Sequence, residues 1–136
     1  MRNRMELSAG LSWRSRLTRW LPGLTIGLGV IHLGWVVADL PEEIRAMLAD
    51  GFVGASNNDS RDFATWFFIG GLVLLMLGST MRWTIRHSGE VPAVLGWWIL
   101  GIGLFDTLLE PDGGGYGLAL LGGLVLLARP VRPVRL

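Results

Sequence analysis

Two ionisable residues lie within otherwise apolar stretches of this sequence. His32 lies in GLGVIHLGWVVADL (Gly27–Leu40), and Asp106 lies near the end of VPAVLGWWILGIGLFDTLL (Val91–Leu109). An imidazole or a carboxyl group in such surroundings is costly unless it meets a partner, so both are candidates for ligand recognition or proton transfer. For His32, a hydrogen bond that only holds two helices together is an equally good interpretation.

Helical spacing adds further residues to this candidate site. Gly29, His32, Val36 and Asp39 form one stripe, and Asp106 and Glu110 are one turn apart. We predict a single ligand-binding pocket for a small lipophile such as a quinone, a sterol-like lipid or a drug, with proton coupling through His32 and Asp106. Its candidate residues are His32, Trp35, Asp39, Trp66, Asp106 and Glu110.

Several of these residues also have a purely structural interpretation. Asp39 has the spacing of a helix N-cap ahead of Glu42, and Glu110 fits a solvated turn in EPDGGG. Trp35 and Trp66 fit the aromatic belt that borders a membrane.

The other residues exclude several kinds of enzyme. The chain has no cysteine. Its second histidine, His87, belongs to the predicted cytoplasmic loop, on the far side from His32, so a haem held by two histidines is not expected. We find no zinc-protease motif, no phosphate-binding loop and no Ser-His-Asp set. We therefore assign no catalytic residue, metal ligand, cofactor or nucleic-acid partner, and favour a non-enzymatic protein.

Hydropathy indicates the elements that must position the site. Apolar residues make up 51% of the 136 residues and charged residues 17%, which points to lipid as the solvent. Four apolar spans follow one another, and we predict an all-α, integral membrane four-helix bundle. The expected domains are a basic arm (1–19), the transmembrane domain (20–128, with spans at about 20–39, 63–81, 91–109 and 113–128) and a basic tail (129–136).

Charge predicts the orientation of these spans. Two of the twelve arginines, Arg45 and Arg61, fall on one predicted side, which also carries most of the acidic residues. The positive-inside rule then places both termini in the cytoplasm. Arginine without lysine hints at a bacterial source, so we expect a multi-pass protein of the bacterial inner (plasma) membrane. The ten arginines on the cytoplasmic side are Arg2, Arg4, Arg14, Arg16, Arg19, Arg82, Arg86, Arg129, Arg132 and Arg135.

Shorter patterns refine this architecture. A short external interfacial helix is predicted between Leu40 and Val53, ending at Gly51, and Asp59 or Ser60 is the expected N-cap of the second span. The pairs Gly23-x-x-x-Gly27 in the first span and Ala119-x-x-x-Gly123 in the fourth are expected to allow close helix packing. Residues 28–39 resemble residues 95–106, and GGLVLL occurs at 70–75 and 122–127, which suggests two parallel hairpin repeats.

The chain also resembles an uncharacterised family of small four-helix bacterial membrane proteins, a domain of unknown function. The resemblance covers about residues 20–128. It rests on GVIH (Gly29–His32), FATWFFIGGLVLLMLG (Phe63–Gly78), LGW (Leu95–Trp97) and the Pro111-Asp112-Gly113 turn. It implies the four-helix topology and no activity.

Two functions follow as hypotheses. In the first, the protein binds a small lipophilic ligand in the outer half of the membrane. In the second, it is a non-catalytic accessory subunit that docks to a larger membrane complex or to copies of itself, as the short, glycine-rich fourth span suggests.

Overall fold

Every regular element in the described part of the chain is a helix, which confirms the all-α prediction. The computed structural model describes the backbone of residues 2–128 and the side chains of residues 13–128. The predicted basic tail and the side chains of the first half of the arm lie outside these residues. The helices are α1 (Arg2–Asp39), α2 (Pro41–Ala49), α3 (Asp59–Ser88), α4 (Ala93–Leu109) and α5 (Gly115–Leu127).

The first helix begins at Arg2 and not at Trp20, so the basic arm and the first apolar span form one element. The arm is rich in Arg, Leu and Met, which favour helices, and it contains no proline. Pro22 lies inside α1 and has no amide hydrogen for the Thr18 carbonyl. One turn earlier, the Thr18 hydroxyl donates to the Arg14 carbonyl, at 2.9 Å.

Two helices are long and apolar enough to cross a membrane, namely α1 over Trp13–Asp39 and α3 over Asp59–Ser88. Only 28% of the most apolar window of α1 is buried, and only 22% of that of α3. The core helix of a water-soluble protein is mostly buried, and these two windows are not. The apolar helices α4 and α5 are shorter, at 17 and 13 residues.

The connection from α1 to α2 corrects one prediction. Asp39 is the last residue of α1, and Leu40 is the N-cap of α2, with no side-chain hydrogen bond. The predicted capping by Asp39 is therefore wrong, because an N-cap residue must leave the helical conformation and Leu40 does so, at φ −123°. Pro41 opens α2, and Gly51, at φ +89°, turns the chain beyond its end.

The N-cap of α3 is also shifted from its predicted position. The Asn58 side-chain oxygen accepts a hydrogen bond from the Arg61 amide, at 3.0 Å, which satisfies one of the free amides of the first turn. Asp59 and Ser60, the predicted caps, already belong to the helix. Asp59 and Asp62 place negative charge in that first turn, where the helix dipole favours it.

Arg61 fastens the loop between α2 and α3. Its guanidinium donates to the Asp50 carboxylate at 2.7 Å, to the Ala55 carbonyl at 2.9 Å and to the Asn57 side-chain oxygen at 3.1 Å. The Arg61 side chain is only 14% exposed. The loop also holds Phe52 at φ +67°, which a non-glycine residue rarely adopts.

Replacing Arg61 by glutamine should loosen this loop selectively. The change removes a charged donor and leaves the Ala55 carbonyl without it, at an expected cost of about 1–3 kcal/mol. Amide hydrogen exchange of residues 50–58 should then accelerate. Arg45→Gln is the matched control, because the Arg45–Glu42 pair is exposed and such pairs contribute little. Equal exchange in both variants would show that Arg61 does not hold the loop.

The chain divides into two compact units. The first contains the residues up to Leu24 and those from Thr80 onward, and the second contains Thr25–Ser79. The boundary falls inside α1 and inside α3. The first unit therefore contains α4 and α5, and the second contains the end of α1, all of α2 and most of α3.

Within the first unit, glycines bring α4 and α5 into close contact. A Cβ atom at Gly103 would overlap the backbone of Ala119, and one at Gly122 would overlap the backbone of Leu100. A Cβ atom at Gly115 would lie 2.5 Å from the Thr107 nitrogen. The hairpin therefore depends on the absence of side chains at these positions.

Within the second unit, different glycines from those predicted pack the helices. A Cβ atom at Gly29 would lie 3.0 Å from the Gly71 carbonyl oxygen, and one at Gly71 would lie 2.7 Å from Leu33 Cδ2. A Cβ atom built at Gly27, or at Gly23 in the first unit, would have no described atom within 4 Å apart from its chain neighbours and the nearby backbone of α1 itself. The prediction that Gly23 and Gly27 pack within this chain is therefore wrong for the residues that the structure describes.

Candidate functional site

His32 lies against α3 with its ring stacked on a phenylalanine. The ring centroids of His32 and Phe67 are 4.3 Å apart, and the rings are inclined by only 9°. Glycines make this approach feasible, since a Cβ atom at Gly71 would lie 3.2 Å from His32 Cβ and one at Gly70 would lie 3.9 Å from His32 Cδ2. His32 is therefore positioned by the same glycine contact that packs α1 on α3.

The ring nitrogens of His32 make no hydrogen bond to any residue that the structure describes. The side chain is half-buried. A neutral imidazole has one N–H donor and one acceptor nitrogen, and both require partners in an apolar environment. A structural role for His32, in which its ring forms a hydrogen bond that holds two helices together, therefore has no partner residue among those described.

Trp35 extends the stack to two phenylalanines of α3. Its ring lies 4.7 Å from Phe67, inclined by 49°, and 6.0 Å from Phe63 at nearly a right angle. Phe63 and Phe67 are themselves 5.7 Å apart. Such offset and edge-to-face pairs are the favoured arrangements of aromatic rings. We call His32, Trp35, Phe63 and Phe67 the aromatic cluster.

The other predicted residues of this unit lie outside the aromatic cluster. Trp66 is 71% exposed and makes no ring contact with the cluster. Adjacent helical positions differ by about 100°, so a helix that turns Phe67 toward α1 turns Trp66 away. Asp39 is exposed at the end of α1, two turns beyond His32.

The two acidic candidates belong to the unit that contains α4 and α5. Asp106 is half-buried, and its backbone carbonyl accepts the Glu110 amide at 2.8 Å. Glu110 is exposed, and its Cγ would lie 3.1 Å from a Cβ atom at Gly113, so its side chain bends toward the turn. One pocket shared by all six residues stays a prediction.

The helix segments that carry the aromatic cluster contain no lysine or arginine. Residues 25–39 and 63–79 have Asp39 as their one charged side chain apart from the titratable His32. The two arginines of this unit, Arg45 and Arg61, are each paired with a carboxylate, Glu42 and Asp50. The cluster therefore has no lysine or arginine on its own helix segments, and its polar groups are the His32 imidazole and the Trp35 indole N–H.

The second histidine of the chain is a useful contrast. The His87 ring lies 4.3 Å from Trp83, inclined by 32°, and its Nδ1 lies 2.8 Å from the Trp83 carbonyl oxygen. Each histidine thus contacts an aromatic ring, but His87 is exposed and has a hydrogen-bond partner within its own helix.

An open groove of about 630 Å³ lies in the second unit, between α2 and the start of α3. Its lining surface is about half polar and half apolar, and the Arg61 side chain on its wall is engaged with the loop. No group of three or more His, Asp or Glu residues in the described part of the chain could hold a metal ion. The groove is lined by Glu42, Glu43, Ala46, Asn58, Asp59, Ser60 and Arg61.

Sequence reasoning missed Phe63 and Phe67. Their spacing of four residues in FATWFF puts them on one face of a helix, and this was the available signal. The sequence favours Trp66, because a tryptophan at a span end fits a binding or belt role. The helix phase that decides between them depends on the contact with α1.

Comparison with known proteins gives a family and no activity. No curated protein and no solved structure matches the chain. A family of unknown function, DUF6463, matches residues 16–133, which include all five helices apart from the beginning of α1. The chain therefore belongs to this family of unknown function, DUF6463.

Proposed function

We propose that this protein is a four-span integral membrane protein that binds a small lipophilic ligand at the aromatic cluster. The observation that carries the proposal is His32, whose ring is fixed by stacking on Phe67 while its nitrogens have no protein partner in the described chain. A polar group held in this way in an apolar helix is suited to a hydrogen bond with a ligand.

Helix lengths and exposure support the membrane part of the proposal. At 38 and 30 residues, α1 and α3 are about 57 and 45 Å long, and a bilayer core is about 30 Å thick. Both helices can therefore cross it and extend beyond it. At 13 residues α5 is only about 20 Å long, so its crossing requires local thinning of the bilayer or cover from neighbouring helices.

The contact between the chain's two end regions supports a cytoplasmic location for both. The Thr18 hydroxyl of α1 lies 3.4 Å from the carbonyl of Ala128, directly after α5. A residue just before the first apolar span that meets the end of the last helix lies on the same side of a membrane as that end, as an even number of crossings requires. The arginines near these ends favour the cytoplasm, and the bacterial inner membrane is the proposed location.

Cysteine labelling should test this topology directly, because the chain has no cysteine of its own. Single cysteines at the exposed positions Val53, Ser88 and Asp112 would be treated with a membrane-impermeant maleimide on intact spheroplasts. We expect full labelling of Val53→Cys and Asp112→Cys from outside, and labelling of Ser88→Cys only after permeabilisation. Labelling of Ser88→Cys from outside, or protection of either other variant, would contradict the four-span topology.

Native mass spectrometry should test the ligand. We expect the protein released from its own membranes in mild detergent to carry a discrete small-molecule mass, and His32→Leu to lose it. His87→Leu is the matched control, since it removes the other ring-stacked histidine and should keep the added mass. A wild-type protein without any added mass, or a mass kept by His32→Leu, would contradict the proposed binding site.

An accessory subunit is the second candidate function. Gly23 and Gly27 lie one turn apart on α1, and a Cβ atom built at either would have no described atom within 4 Å outside the nearby part of its own helix. In lipid such a pair favours contact with another helix. The same spectra test this alternative. A dimer or a retained protein partner that Gly27→Leu abolishes would support it, and a monomer in both spectra would contradict it.

A further inference from the structure

Resting on the proposed function, we infer that the ligand has a neutral, flat headgroup ring bearing an oxygen atom, the chemistry of a quinone and its quinol. Nothing in the family match assigns such a ligand. Three features of the aromatic cluster support it: its charge, its ring surfaces and the ring nitrogens of His32, which have no hydrogen-bond partner among the described residues.

Charge excludes the common anionic lipids as specific occupants. A fatty acid carboxylate or a phospholipid phosphate at the depth of His32 would need a cation to balance it. Residues 25–39 and 63–79 supply no arginine or lysine, and Arg45 and Arg61 are paired with Glu42 and Asp50. A neutral headgroup meets no such cost.

The exposed ring surfaces favour a flat ligand. Trp35 and Phe63 touch the cluster and still leave 39% and 47% of their surface exposed. An aromatic or quinonoid ring can stack on these surfaces, as the protein's own rings do at 4.3–6.0 Å. A saturated sterol ring system would gain only general apolar contact there.

His32 completes the recognition. Its stacking on Phe67 fixes the ring plane, so its nitrogens can bond only to groups near that plane. In its neutral form the imidazole can donate to a quinone carbonyl and can accept from a quinol hydroxyl. One side chain would thus recognise both forms of the headgroup.

The test uses the chain's two histidines as site and internal control. The full-length protein, labelled with ¹⁵N-histidine, is placed in phosphatidylcholine nanodiscs and titrated with a benzoquinone carrying a ten-carbon tail. We expect a saturable shift of the His32 ring nitrogens and none at His87. Palmitate and a sterol, added in the same way, should leave both histidines unchanged. Equal shifts at both histidines, or an equal response to palmitate or sterol, would overturn the inference.

Two variants complete the test without relying on a disrupted fold. His32→Phe retains a ring for stacking on Phe67 and loses both nitrogens, so we expect at least ten-fold weaker retention of the benzoquinone. His87→Phe should bind it like the wild type. Absence of a shift at His32, combined with a native adduct that still depends on His32, would reject the quinone class and leave the proposed function standing. Absence of both would reject the two together.

Discussion

Replacing Gly103 by valine is expected to separate α4 from α5 and to cost about 3 kcal/mol or more in the free energy of unfolding. The reason is the identity of the neighbours: a Cβ atom there would overlap the nitrogen of Ala119 and the carbonyl carbon of Leu118. Backbone atoms cannot rotate aside as a side-chain end can. The new methyl groups must therefore push the two helices apart along their length.

Gly101→Val is the control for this experiment. Gly101 lies in the same helix, two residues earlier, with nothing described within 4 Å of its missing side chain. Valine favours a helix slightly more than glycine does, so this variant should be as stable as the wild type or slightly more stable. Unfolding in mixed detergent micelles measures both. Equal losses of stability would mean that glycine flexibility, and not the helix contact, matters at these positions.

The glycine contacts within each unit can be compared at the positions where the sequence resembles itself. Gly29 approaches Leu74 and Leu75 of α3, and Gly96 approaches Val125 and Leu126 of α5. Gly29 and Gly96 are matching positions of the first repeated stretch, and Leu74 and Leu126 are matching positions of GGLVLL. The match is partial, because Gly71 contacts Leu33 whereas its counterpart Gly123 has no contact within 4 Å outside its own helix. The two hairpin repeats therefore stay a prediction.

The presence of the helices could be predicted from the sequence, but the residues at which they begin and end could not. Charge marks where a chain leaves an apolar solvent, but it does not stop a helix, which is why α1 extends back to Arg2. At the start of α3, Asn58, Asp59 and Ser60 are all good N-caps. Only the backbone course of the Arg61-held loop decides for Asn58.

Helix rotation sets the same limit on predicting the site. Periodicity identifies which residues share a face, and in the stripe of His32 the residues Gly29 and Val36 are buried while Asp39 is exposed. It does not say which face of α3 meets that stripe. That rotation selects Phe67 over Trp66 for the aromatic cluster, and Gly29 and Gly71 over Gly23 and Gly27 for the helix contact.

The adjacent glycines of α3 provide the second large effect. In Gly71→Ala the new methyl group would lie 2.7 Å from Leu33 Cδ2 and 3.2 Å from His32 Cβ, whereas in Gly70→Ala it would meet His32 Cδ2 at an ordinary 3.9 Å. Both changes gain the same helix propensity, about 1 kcal/mol. Their difference therefore isolates the contact between α1 and α3.

We expect Gly71→Ala to be less stable than Gly70→Ala by about 1–3 kcal/mol, because α1 must move away from α3. The same movement should pull His32 off Phe67, so Gly71→Ala should lose the His32-dependent added mass and Gly70→Ala should keep it. Unfolding in mixed micelles and native mass spectrometry on both variants measure the two effects. If Gly71→Ala lost stability but kept its ligand, the stack of His32 on Phe67 would be irrelevant to binding. If Gly71→Ala lost neither stability nor ligand, the Leu33 side chain would have rotated away from the new methyl group. Gly71 would then not set the distance between α1 and α3.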